Sequence, residues 1–142
     1  MLALIIALQG ATSPAPTKVT IAASREVVWN RYVAYVAARG AQPQTLSKEN
    51  GLIAVRSAAK VEGREDYSRA GAVCPKRPSY LVQRVSILVT DATPTETDVS
   101  LTVGFEEVTT PGWFDYSVKT LACTSNGIVE ARLLAVAKGE TR

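Results

Sequence analysis

Apolar positions along the chain switch between two spacings, and the switches mark out its elements. Over 18–23, Val19 and Ile21 alternate with Thr20 and Ala22, which predicts a first strand. Over 24–40 the period lengthens. Val28, Trp29, Tyr32, Val33 and Val36 fall on one arc of a helix, while Asn30, Arg31, Ala34 and Ala38 face away. Ser24 can cap its first turn, Glu26 and Arg39 suit the two ends of its dipole, and Gly40 can close it in a left-handed conformation. The valines on the arc lower helix propensity, so packing has to hold this element, and the arc itself reads as core facing.

Beyond Gly40 the period returns to two. Pro43 blocks further helix, and extended segments over 44–48 and 52–57 flank Glu49-Asn50-Gly51. Asn-Gly there predicts a hairpin, because both residues accept positive φ. Ile53 and Val55 then share one face and Leu52, Ala54 and Arg56 the other. Gly63, Gly71, Pro75 and Pro78 break up 58–79. A structureless run of roughly twenty residues is unusual in a compact domain, so a short strand is expected over 67–73.

The clearest alternation follows. Val85, Ile87 and Val89 interleave with Arg84, Ser86 and Thr90, a turn occupies 91–96, and Val99, Leu101, Val103 and Phe105 interleave with Ser100, Thr102, Gly104 and Glu106. After a loop over 109–124, Ser125 or Asn126 can cap a last helix over 128–138. Its apolar face is Ile128, Val129, Leu133 and Val136, with Arg132 at the edge and Gly139 as the stop. The whole predicts an α+β domain: an antiparallel sheet of about four to six strands with two helices packed on one face, in the order β-α-β-β-β-β-α.

Composition narrows the class without changing that picture. The 142 residues are 46% hydrophobic and 20% charged, which fits one globular domain, here 17–142. Residues 1–16 read as a cleaved export signal: the apolar run 2–8 is followed by small residues, although no basic residue precedes it. A frayed tail is the other reading. The run is too short to span a bilayer, and no cysteine follows it to carry a lipid anchor. A periplasmic or secreted location follows.

Cys74 and Cys123 are the only cysteines, and in an exported chain they are expected to form one disulfide. A redox role is the weaker rival. Cys123 precedes a helix N-terminus, but the pair lacks the C-x-x-C spacing.

The net charge of +3 is carried between Arg56 and Arg77, where Lys60, Arg64, Arg69 and Lys76 add to those two against Glu62, Glu65 and Asp66. A solvated loop or a site for an anionic partner both fit this segment. No aromatic ladder accompanies it, so nucleic acid is not an expected partner.

There is no histidine, which removes serine-histidine and cysteine-histidine catalysis and the commonest metal ligand. The carboxylate candidates are Glu65 with Asp66, Glu106 with Glu107, and Glu130. Neighbours on a strand face opposite sides, so Glu106 and Glu107 cannot share a substrate. Glu130 suits the first turn of a helix. No catalytic residue, cofactor or metal site is assigned.

Trp113, Phe114 and Tyr116 in the 109–124 loop are a candidate binding patch, or a lid over the sheet edge. Trp29, Tyr32 and Phe105 are candidate lining for an apolar pocket between the long helix and the sheet.

Two local motifs carry a resemblance. Asn50-Gly51-Leu52-Ile53 follows the first helix, and Cys123-Thr-Ser-Asn-Gly-Ile-Val-Glu130 enters the last. Both are similar to the corresponding turns of small exported bacterial domains with a helix-grip arrangement, such as the repeated domains of the outer-membrane assembly lipoprotein BamC. Asn126 stands where those domains usually have Thr, and the lipobox cysteine is missing. The resemblance implies a helix-grip fold and an envelope location more than an activity. The expected function is therefore a non-enzymatic envelope module that binds a protein or the cell wall, with a carrier of a small apolar ligand as the alternative.

Overall fold

The computed structural model describes residues 16–60, 64–74, 80–109 and 119–140. Its spine is the hairpin of β5 (Tyr80–Thr93) and β6 (Glu96–Thr109), paired from Tyr80↔Val108 to Thr93↔Glu96. The free edge of β5 takes β3 (Leu52–Lys60), and β3 takes β2 (Pro43–Ser47). The free edge of β6 is shared end to end. Its first half pairs with β1 (Thr17–Ile21) and its second half with β7 (Lys119–Ser125). A two-residue strand, β4 (Ala72–Val73), pairs with β7. All seven strands run antiparallel in one sheet.

Alternation sets the faces as expected. Val85, Ile87, Val89, Val99, Leu101, Val103 and Phe105 are buried, while Arg84, Ser86, Leu88 and Thr90 are exposed. Helix α1 (Arg25–Ala38) covers the apolar face with Val28, Trp29 and Tyr32. Ser24 Oγ accepts a hydrogen bond from the amide of Val27. A second helix on that face, α3 (Ile128–Lys138), packs beside α1 through Val129, Leu133, Val136 and Ala137. No helix among the described residues is long and apolar enough to cross a membrane.

Polar bonds fix the helix seam. The Tyr32 hydroxyl, fully buried, donates to the Leu133 carbonyl at 3.0 Å. Arg31, expected to face away, is half-buried and donates to the Ala137 carbonyl at 2.7 Å. The open carbonyls at the end of α3 attract the guanidinium, and the long Arg stem reaches over the seam.

Burial pushes the Tyr32 hydroxyl well above its ordinary value near 10. Tyrosine is neutral when protonated, so its contribution is present below pH 10 and fades as pH rises beyond it. Tyr32→Phe is expected to cost about 1 kcal/mol at pH 7. It should also flatten the loss of stability above pH 10, read from urea melts across pH. Unchanged alkaline steepness would contradict this role.

Several expectations are corrected. Residues 67–73 were expected to form a strand; instead a helix, α2 (Arg64–Ala70), precedes the short β4. Arg69 in its last turn suits the helix dipole, and Tyr67 and Ala70 turn to the core three residues apart. Gly71, at φ +100, ends it.

Strand β7 falls in what was expected to be loop. Its inward Leu121 and Cys123 alternate with Thr120, Ala122 and Thr124, residues too small to make the period stand out. Among the described residues the sheet accordingly has seven strands rather than about four to six.

Ile128 is 41% exposed and Ala137 takes its place in the core. Five residues from Leu133, at about 3.6 per turn, Ile128 lies off the buried arc. Gly127 occupies the N-cap position of α3 at φ +89, and Asn126 Oδ1 accepts from the Ile128 amide just outside it. In the first hairpin only Gly51 takes positive φ; Asn50 does not, because the loop has four residues, with the Gly51 amide bonded to the Lys48 carbonyl.

Candidate functional site

Where the far end of α1 meets the start of α3, the helices do not close fully on the sheet. A cleft of about 280 Å³ remains over β3 and β5. Val55, Val85 and Ile87 form its floor. Val36 of α1 and Val129 and Leu133 of α3 form its walls, and Ala70 at the end of α2 closes a further side. The floor is apolar because these strand positions belong to the core-facing set.

The rim is different. Arg39 stands at the C-cap of α1, Arg69 in the last turn of α2, and Arg132 in the first half of α3. The Arg39 guanidinium lies 4.7 Å from the centre of the Tyr35 ring, which also lines the cleft. Ser57 and Gln83 add neutral hydrogen-bonding groups. No carboxylate lines the cleft among the described residues. An apolar floor under three cations can hold an amphipathic molecule, and the volume lies near the lower end of about 300–1,000 Å³ for ligand pockets.

A second cluster sits on the same face of the sheet, at its β4–β7 edge. Cys74 and Cys123 are joined as a disulfide, with Cα atoms 4.6 Å apart. It ties the end of β4 to β7, so α2 is held to the main sheet through it. A carboxylate oxygen of Glu107 and the two sulfurs lie within 4.8 Å of one another. Glu107 is fully buried, whereas Glu106 reaches Arg84 at 3.4 Å on the other, wetter face. The two neighbouring acids are thus separated by the sheet. With the disulfide formed, the sulfurs have no thiolate to offer a metal.

The expected site residues fall in three places. Cys74 and Cys123 are bonded. Trp29, Tyr32 and Phe105 lie in the core at 5%, 0% and 2% exposure, and the cleft is lined by other residues of the same layer. Trp113, Phe114 and Tyr116, like 1–15, lie outside the described residues. Of the basic segment, Arg56 and Lys60 point to solvent and Arg69 reaches the cleft.

The convergence of Arg39, Arg69 and Arg132 was not legible in the sequence. Arg39 read as a dipole partner and Arg132 as a helix edge. The available signal was that Arg39 and Arg132 each border an apolar arc.

Fold and cleft define an α+β domain with a cation-rimmed hollow between its helices and its sheet. No family model matches the chain, and no curated protein matches it closely enough to serve as a relative.

Proposed function

We propose that this chain is a non-enzymatic binding module that holds a small, largely apolar molecule in the cleft between α1, α3 and the sheet. The observation that carries this reading is the cleft itself: an apolar floor on rigid strands, open at one side, with polar groups gathered at its rim. The reading places the module outside the cytoplasm, and the Cys74–Cys123 disulfide supports that placement. A protein- or wall-binding role built on Trp113, Phe114 and Tyr116 finds no comparable support, since those residues lie outside the described part of the chain.

Titration of the purified chain with octanol, a neutral aliphatic probe, tests the reading. Saturable shifts are expected at the methyl resonances of Val55, Val85, Ile87 and Leu133. Val55→Phe fills the floor and is expected to abolish them while the melting temperature is kept. Shifts absent from these methyls, or untouched by Val55→Phe, would refute the cleft as a binding site.

A further inference from the structure

We infer that, once reduced, Cys74 and Cys123 join Glu107 in a site for zinc, so that a metal ion and the disulfide are alternative clasps at the same edge of the sheet. Among the described residues, the two sulfurs and a carboxylate oxygen of Glu107 converge within 4.8 Å of one another. Three neighbouring strands deliver them. Val73 of β4 pairs with Thr124, so Cys74, the next residue, falls beside Cys123 of β7. Glu107 of β6 pairs with Leu121, which sets it diagonally across from Cys123 on the same face.

Ligand type and spacing both suit zinc. With bonds of about 2.3 Å to sulfur and 2.0–2.2 Å to carboxylate oxygen, ligands around a tetrahedral ion stand roughly 3.5–4 Å apart. Small side-chain rotations bring the three atoms to that spacing once the S–S bond is cut. A carboxylate has about four acceptor positions, so Glu107 can bind an ion and keep another contact. Glu107 is fully buried while both cysteines are half-buried, which leaves the sulfur side open for an ion to enter and for a water as fourth ligand. Two thiolates beside a buried carboxylate crowd three negative charges together, and a divalent cation offsets them. The steps balance. A dithiol passes two electrons and two protons to the disulfide, giving two thiols, and leaves as its own disulfide. Metal binding then releases the two thiol protons to water.

Titration of the full chain with Co²⁺, a coloured stand-in for zinc, tests the inference. The chain is first reduced with a dithiol, which is removed without air. One ion per chain is expected to bind, with thiolate-to-cobalt charge transfer in the near ultraviolet, and Zn²⁺ should displace it. The oxidised chain should show no such band. Zn²⁺ should raise the melting temperature of the reduced chain and leave that of the oxidised chain unchanged. Glu107→Gln is expected to weaken Co²⁺ binding to the reduced chain by about tenfold to a hundredfold. Glu107→Asp, which keeps the carboxylate, should weaken it less. Absence of the band from the reduced chain, or an equal band in the oxidised one, overturns the inference. So does equal affinity in the wild type and Glu107→Gln, which would leave the sulfurs binding without the acid.

Discussion

Gly51→Ala is expected to destabilise the protein by about 3 kcal/mol, a fall of about 10 °C in melting temperature for a chain of this size. Two costs combine. Gly51 has φ +67, where a side chain is strained. An added Cβ would also run into the backbone carbonyl of Val89, which cannot swing aside because β5 is paired on both edges. The same place anchors the hairpin. The Val89 amide donates to the Gly51 carbonyl at 2.8 Å, and Arg25 of α1 donates to the carbonyls of Lys48 at 2.7 Å and Glu49 at 2.9 Å. Gly40→Ala is the control: φ is +65 there, but nothing lies within 4 Å of the new Cβ. It should cost only about 1 kcal/mol. Equal losses in urea melts of the two variants would show that the close approach to Val89 does not matter.

Removing the disulfide is expected to cost still more. Closing a loop with 49 residues of separation restricts the unfolded chain by roughly 4 kcal/mol in the entropic account. Cys74→Ala with Cys123→Ala should lose about that much, and reduction of the wild-type chain should lose the same, while reductant leaves the double variant unchanged. The damage should be local first. Strand β4 has two paired residues and α2 has seven, so neither holds its place unaided. Amide exchange in α2 and β4 should quicken before that of β5 and β6. Reductant that leaves wild-type stability untouched would refute this role of the pair.

What the sequence made legible follows the strength of each local pattern. The run from Val85 to Val89 and its partner from Val99 to Phe105 alternate large with small or polar residues, so strand, face and pairing all emerged. The arc Val28–Trp29–Tyr32 with Ser24 before it gave α1 within a residue or two. Strand β7 hid because Thr120, Ala122 and Cys123 weigh little on either face. Helix α2 hid because seven residues hold barely two turns, and its charges lie next to a segment rich in breakers.

The candidate site was harder to see for a different reason. Arg39, Arg69 and Arg132 are far apart along the chain, and the packing of α3 against α1, with α2 set beside α3, brings them to one cleft. Trp29, Tyr32 and Phe105, the expected pocket lining, are buried in the core, and the cleft is lined by other residues of the same layer. The largest apolar residues went to sealing the core, and smaller Val55, Val85 and Val36 were left around the gap.

The shared edge of β6 bears on how the molecule comes together. The Thr20 hydroxyl of β1 bonds Asp98 of β6 at 2.7 Å across 78 positions, and the bond from Tyr32 to Leu133 spans 101. Strand β1 therefore has no strand partner until β6 is present, and the seam of α1 stays open until α3 follows. Such distant pairings make for slow assembly, on the order of milliseconds to seconds. During synthesis from the N-terminus the sheet would close before the helix seam, which locks only as the final helix arrives.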